Sequence, residues 1–302
     1  MAYSTGRTAC CSSYRARALP DSKASLQTSP CRPVIAIIVP FRKQAEQDRA
    51  TQLKAFVEHM GSFLLHAQGQ FILMIVEQSD DGRKFNRGQL LNIGFAEVCS
   101  HISPSRLSAA IFHDVDLLPN KLLLPWYDTC PRRGQPVHIA GPATWSKYAG
   151  MGQYEDVFFG GVTAFHPDDF VSCNGYPNNY WGWGLEDDQL RLRADESGCL
   201  VHGVRRPPFS SGAKYRDLDE VRVLNILQDP ARRVCERHLW NDMFIGRQQG
   251  LLTLDDGWSD SNGLRGLRHT ILRHGMVKPR ATSDVSMATS EVSMLHVVAH
   301  LA

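Results

Sequence analysis

The chain predicts an α/β fold, with a Rossmann-like nucleotide-binding half built on a mostly parallel central sheet. Three observations predict it. Short β-branched apolar runs alternate with segments of helical periodicity over the first third of the chain. Polar segments follow the ends of those runs directly. The 302 residues, 43% hydrophobic and 21% charged, suffice for a sizeable core without disulfide or metal staples.

The elements follow in order. VIAIIVP, from Val34 to Pro40, is short, β-branched and closed by proline, the pattern of a fully buried strand. Between Gln44 and Gln68, Leu53, Phe56, Val57, Met60, Phe63 and Leu64 recur at helical spacing and predict a long amphipathic helix. FILMIVEQ is a second buried strand, SDDGRKFNRG a polar loop, and Gln89 to Val98 a second helix. SAAIFHDVD, from Ser108, is a third apolar strand that ends in acids. Strands alternating with helices predict crossover connections and ligands gathered at the carboxyl ends of the strands. Pro40-Phe41-Arg42, the FNRG loop and HDVD would then converge on one crevice.

From Asn120 to Asp156 the chain is rich in Pro, Gly and Trp and has little periodicity. FFGGVTAF reads as a strand preceded by a glycine pair, and NGYPNNYWGWGLEDDQLRLRADESG as an aromatic, Gly-rich loop running into a helix. NGLRGLRHTIL is a late strand. Residues 1–33 and 278–302 lack convincing periodicity and are expected to be weakly ordered tails around a single domain over 34–277, divided into halves 34–119 and 120–277.

A balance of 33 Lys+Arg against 31 Asp+Glu, net +2, gives no reason to expect nucleic acid as a partner. The eight cysteines lack zinc-ribbon spacing and leave the redox compartment open. No stretch approaches the roughly eighteen apolar residues that span a bilayer, and the first thirty residues lack an apolar signal core. The expectation is a soluble chain with no membrane anchor visible in it.

Asp114 and Asp116 flank Val115 at a strand end, where two carboxylates at i and i+2 point to one side and can share a hard cation with a bound phosphate. The same spacing suits a solvated acidic turn. In WGWGLEDD, indole faces suit the apolar face of a sugar ring, and one of Glu186, Asp187 and Asp188 could take a proton from an incoming hydroxyl. Acids at a helix start also simply favour its dipole. Arg42 and Arg87 are the basic residues best placed for phosphate or uracil, unless they are surface arginines. His113, His202 and His238 are not singled out by spacing.

VPFR (Val39 to Arg42), FNRGQLLNIGF (Phe85 to Phe95), HDVDLLP (His113 to Pro119), FFGGV (Phe158 to Val162) and NGYPNNYWGWGLEDD (Asn174 to Asp188) stand in an order that resembles the β-1,4-galactosyltransferase family, glycosyltransferase family 7. The resemblance covers about Val34 to Arg193, and its WGWG-x-EDD element is highly specific. It implies a GT-A fold, with residues 34–119 as the UDP-binding half and 120–277 as the acceptor and metal half. It implies an inverting, Mn2+-dependent transfer of galactose from a UDP-sugar to a glycan or glycoconjugate acceptor, and residence in the Golgi lumen. Carried over by position, Pro40, Phe41, Arg42, Phe85 and Arg87 would hold the uridine diphosphate, with Asp114 and Val115 at the diphosphate and Asp116 the direct metal ligand. Trp183 would border donor and acceptor, and Glu186, Asp187 and Asp188 would meet the acceptor, with Asp187 the catalytic base. Phe158 stands where the family places a bulky aromatic that restricts the donor pocket to galactose.

The family's downstream Met-x-x-His metal pair is not present after Asp188. Aligning YRDLDEVR puts Asp217 and Glu220 in those positions as oxygen ligands, with His238 as the fallback. This departure keeps a silent carbohydrate-binding relic open as an alternative, and a β-1,4-N-acetylgalactosaminyltransferase on the same frame is the close enzyme alternative. The acceptor sugar, whether GlcNAc, glucose or xylose, is not readable.

Overall fold

A computed structural model describes residues 33–44, 48–145, 157–220, 253–276 and 291–302. Strand β1 (Val34–Phe41) is buried along its whole length and lies between β2 (Gln70–Gln78) and β3 (Leu107–His113), parallel to both. Helix α1 (Arg49–Leu64) connects β1 to β2, and α2 (Arg87–His101) connects β2 to β3. The continuous apolar runs are explained by this position, because a central parallel strand has both faces covered. Ile35, Ile37 and Val39 pack with Phe56, Met60 and Phe63 of α1. Their neighbours Ala36 and Ile38 point the other way, into a cluster with Leu90, Leu91, Ile93 and Phe95 of α2.

Beyond β3 the sheet turns antiparallel through β6 (Val162–Phe165) to the two-residue β5 (Val137–His138). A second, two-stranded sheet pairs β4 (Leu117–Pro119) with β7 (Tyr215–Asp217), setting Leu117 opposite Asp217. The described α-helices between them are α3 (Leu124–Tyr127), α4 (Pro167–Ser172) and α5 (Glu186–Glu196). The late strand expected in NGLRGLRHTIL is β8 (His269–Met276).

The C-terminal tail requires correction. Residues 291–301 are not weakly ordered: they form β9, parallel to β2 and antiparallel to β8, and complete a seven-stranded order β5-β6-β3-β1-β2-β9-β8. β2 is buried throughout and needs a partner on its outer edge, which β9 supplies. The signal was faint because clean alternation of buried residues is confined to Val297, Ala299 and Leu301, while histidines and serine interrupt the rest.

Helix α2 lies close to the sheet at Gly94, where a Cβ would stand 2.3 Å from Ile38 Cγ2 and 2.8 Å from Val76 Cγ2. Gly94→Ala gains helix propensity of about 1 kcal/mol but overpacks two branched side chains fixed in the sheet, at a cost of about 1–3 kcal/mol. A net loss of up to about 2 kcal/mol is expected, read as a lowered midpoint in urea unfolding.

Candidate active site

β1, β2 and β3 run parallel, so their carboxyl ends open on one edge of the sheet, and α1 and α2 both begin there. The first residue of each helix is an arginine that turns inward. Arg87 Nε donates to Asp114 Oδ1 at 2.7 Å, and Arg87 Nη1 lies 3.4 Å from Glu186 Oε1. Arg49 Nη1 donates to Asp116 Oδ2 at 2.9 Å and to Gln52 Oε1 at 2.7 Å, while Arg49 Nη2 stands 4.0 Å from Asp219 Oδ2. Each strand-end carboxylate thus has its own guanidinium. Burial alone would lower both arginines, yet the surrounding acids outweigh it and hold them above their ordinary value.

Asp114 is fixed through its backbone. Its N–H donates to the Gly161 carbonyl at 3.0 Å, and its carbonyl accepts from His113 Nδ1 at 2.8 Å. His113 Nε2 then accepts from Tyr127 Oη at 2.6 Å, and Tyr127 Oη accepts from Tyr215 Oη at 2.8 Å. Burial pushes His113 down to about 4, so the ring is neutral and this proton order is kept at neutral pH.

The acids of WGWGLEDD are the first three residues of α5. Leu185 enters the helix with φ of 74°, a left-handed conformation that costs a non-glycine residue about 1–2 kcal/mol. The loop is anchored by the Gly182 N–H, which donates to the Phe85 carbonyl at 2.7 Å. Asp187 Oδ2 lies against Gly160, where a Cβ would stand 2.0 Å from it and 2.9 Å from Phe158 Cε2. The Phe158 ring and the Asp187 carboxylate therefore flank the same point. The Gly160 carbonyl accepts from buried His138 Nε2 at 2.9 Å, and His138 Nδ1 faces Arg206 Nε at 3.4 Å. Glu186 Oε2 is buried with no hydrogen-bond partner among the described residues. Burial first, then Asp187, raises Glu186 to about 7 against the pull of Arg87. Burial, Asp187 and Glu186 likewise raise Asp188.

The expected residues are thus only partly gathered. Asp114, Asp116, Arg87, Glu186, Asp187 and Phe158 converge, and Trp183 stands 48% exposed at the rim. Arg42 donates to the Arg83 carbonyl and covers the Phe85 ring at 5.7 Å, while Pro40 and Val115 are buried and the Phe41 side chain lies in the core. Glu220 is exposed. Its neighbour Asp219 is 6% exposed and lies 4.0 Å from Arg49, the cation bound to Asp116. Asp217 Oδ2 accepts from Trp145 Nε1 at 3.0 Å and its Oδ1 from the Asp219 N–H at 2.8 Å. His238 lies outside the described residues. Sequence reasoning missed Arg49, Asp219 and His138; a cation in the first turn of a helix, against its dipole, was the available cue for Arg49.

Among the described residues no three His, Cys, Asp or Glu side chains gather closely enough to cage a metal. What the strand end offers is the Asp116 carboxylate, a hard oxygen donor of the kind that holds a divalent ion whose other ligands are phosphates and water.

Residues 20–124 match the family model described as the N-terminal region of glycosyl transferase group 7, and residues 144–217 match that described as the N-terminal domain of galactosyltransferase, together more than half of the chain. The chain belongs to glycosyltransferase group 7. It is 39% identical over 171 residues to β-1,4-galactosyltransferase 7 of Drosophila melanogaster and 35% identical over 161 residues to β-1,4-galactosyltransferase 4 of Homo sapiens. These matches cover 55% and 53% of this chain but 46% and 42% of the relatives, so it spans about half the length of the curated relatives it matches. The catalytic domain of the Drosophila enzyme in complex with xylobiose superposes with a TM-score of 0.57 at 27% identity, covering 89% of this chain and 94% of that one. A mutant of the same enzyme with manganese, UDP-Gal and xylobiose gives a TM-score of 0.60 at the same identity and the same coverage of both chains. The fold is GT-A, as expected.

Because the folded environment raises Glu186 above an unfolded carboxyl, it stabilises the protonated form, and that contribution is complete below about pH 4.5 and is lost as pH rises through about 7. Glu186→Gln should remove this loss. Thermal midpoints between pH 5 and 8 should fall less steeply in the variant than in the wild type.

Proposed function

We propose that the chain is an inverting β-1,4-galactosyltransferase that moves galactose from UDP-galactose to a hydroxyl of a sugar acceptor. One observation carries the reading: Arg87 bridges Asp114 of the strand-end DVD to Glu186 of the EDD acids, uniting two acidic motifs far apart in sequence. The solved relative with UDP-Gal, manganese and xylobiose supports the donor and acceptor classes. Residence in the Golgi lumen is proposed from the family; no described helix is long and apolar enough to cross a membrane.

In this mechanism Asp187 takes the proton of the acceptor hydroxyl. The oxygen attacks the anomeric carbon from the face opposite the diphosphate, the bond from that carbon to the diphosphate oxygen breaks, and the configuration inverts. Gly160 leaves room for the Asp187 carboxylate, and His138 holds the Gly160 carbonyl. Glu186 offers its buried Oε2 to an acceptor hydroxyl. Trp183 offers an indole face to the sugar ring. Mn2+ held at Asp116 would neutralise charge on the leaving diphosphate.

The test is a transfer assay with UDP-galactose and Mn2+ on GlcNAc, glucose and xylosides; absence of transfer to every acceptor would count for a silent relic. Asp187→Asn should lower turnover by about a hundredfold or more, the effect of a lost base, with UDP affinity little changed.

Phe158 is buried against His138 and Trp145, yet its ring edge reaches the point that Asp187 flanks, which supports a role for it as a wall of the donor pocket. Phe158→Leu should open space for a 2-acetamido group and raise the ratio of N-acetylgalactosamine to galactose transfer by about ten- to a hundredfold. An unchanged ratio with both rates reduced alike would make Phe158 a core residue only.

A further inference from the structure

We propose that Arg83, in the polar loop between β2 and α2, is a positioning residue for the acceptor sugar: it clamps the aromatic loop and so holds the exposed Trp183 indole in place. The inference rests on the galactosyltransferase reading, in which Trp183 meets the sugar ring. It starts from a contact that the reaction itself does not use. The Arg83 guanidinium lies over the Trp181 ring, 4.3 Å from its centroid. Asp81 fixes it there: Oδ2 accepts from Arg83 Nε at 2.9 Å and from Nη2 at 2.7 Å, and Oδ1 accepts from the Arg83 N–H at 3.1 Å. Nη2 donates also to the Leu301 carbonyl of β9, so the plane over the indole is held from two sides. Tryptophan offers a cation the best of the aromatic faces.

Where the clamp falls along the loop makes the role specific. The start of the loop is tied to α2 and its cap: Asn86 Nδ2 donates to the Asn178 carbonyl at 2.7 Å, and Asn92 Nδ2 to the Tyr176 carbonyl at 2.8 Å. Further on, Trp181 lies under Arg83, and the Gly182 N–H donates to the Phe85 carbonyl at 2.7 Å. Both of these anchors belong to the loop that precedes α2. Trp183 follows at once, between Gly182 at φ 102° and Gly184 at φ 109°. Glycines take such conformations as readily as others, so the direction of Trp183 is set by the anchors before it. Without the clamp the loop is divided among arrangements of which one is competent, and apparent acceptor affinity falls by that fraction. A saturating acceptor selects the competent arrangement again, so the acceptor KM rises while kcat is retained. On the donor side, Arg42 Nη1 binds the Arg83 carbonyl, a backbone group that a side-chain substitution keeps.

The experiment uses the whole chain, with wild type, Arg83→Gln and Arg83→Lys. Amide hydrogen exchange of peptides spanning residues 179–185 is followed without ligand. Transfer from UDP-galactose with Mn2+ is then measured against the concentration of each substrate, with GlcNAc, glucose and a xyloside as acceptors. Arg83→Gln should speed exchange in those peptides about fivefold and raise the acceptor KM about three- to tenfold, with kcat and the UDP-galactose KM changed by less than about twofold. Arg83→Lys keeps a charge near the indole but loses the planar fork to Asp81 and Leu301, so it should be intermediate. Wild-type exchange over 179–185, or a wild-type acceptor KM, in a folded Arg83→Gln protein overturns the inference and leaves the galactosyltransferase reading intact. An equal rise in both substrates' KM does the same, since Arg83 would then support the fold in general. A wild type that transfers to none of the acceptors overturns both. Should Arg83→Gln fail to fold, Arg83→Lys decides: exchange and acceptor KM equal to wild type overturn the role of the guanidinium.

Discussion

Two arginines at the first positions of α1 and α2 hold the site together. Each opposes its own helix dipole, at a cost of about 0.3–1 kcal/mol, and each is held by a charge-assisted bond to a strand-end aspartate in a partly buried setting. The bonds outweigh the dipole. Removing one partner of such a pair leaves an uncompensated charge, at a cost of about 3–5 kcal/mol when fully buried and less where, as at Asp114, water still reaches the group. Because the arginines begin the two helices that flank β1 and β2, the same contacts that order the acids also fix where those helices enter the sheet.

Backbone shape sets the position of the acids that open α5. Asp187 reaches its position only because residue 160 has no side chain, and Leu185 accepts a left-handed conformation to begin α5 at that point. His138 is pushed down to about 3 by burial and is therefore neutral, with one ring nitrogen donating to the Gly160 carbonyl and the other facing the Arg206 guanidinium, which can only donate. Arg206 thereby selects the tautomer that supports Gly160, and Gly160 in turn supports the surface on which Asp187 rests. The Gly160 carbonyl also accepts from the Val162 N–H at 3.0 Å, so ring and strand hold it together.

The sequence made the β-α-β-α-β half legible because central parallel strands are apolar on both faces, so VIAIIVP and FILMIVEQ stand out without any partner being known. β9 was not legible, because it has partly exposed positions, and a strand of mixed polarity is recognised only through its neighbour. The DVD and EDD acids and Arg87 could be read from the sequence, but which cation pairs with which acid could not. Arg49 and Asp116 are 67 positions apart, and nothing local in either segment links them. The choice between Asp219 and Glu220 illustrates the same limit. Strand pairing sets Leu117 opposite Asp217 and bonds the Leu218 N–H to the Asp116 carbonyl, which turns Asp219 toward Arg49 and leaves Glu220 in solvent. A one-residue difference in alignment, invisible to composition, decides which carboxylate lies beside Arg49.

Arg87 links two acidic segments electrostatically. The guanidinium is divided between Asp114, at the end of β3, and Glu186, at the start of α5, at 2.7 and 3.4 Å. Glu186 is held near neutrality in its protonation by burial and by Asp187, with Arg87 the main force favouring its charge. Any change that draws Arg87 away from Glu186 would weaken that support and favour the protonated form. A protonated Glu186 is a hydrogen-bond donor where the carboxylate can only accept, and it removes a like charge from beside Asp187. The division of one guanidinium between β3's end and the start of α5 is thus what couples the protonation of the second segment to the charge on the first.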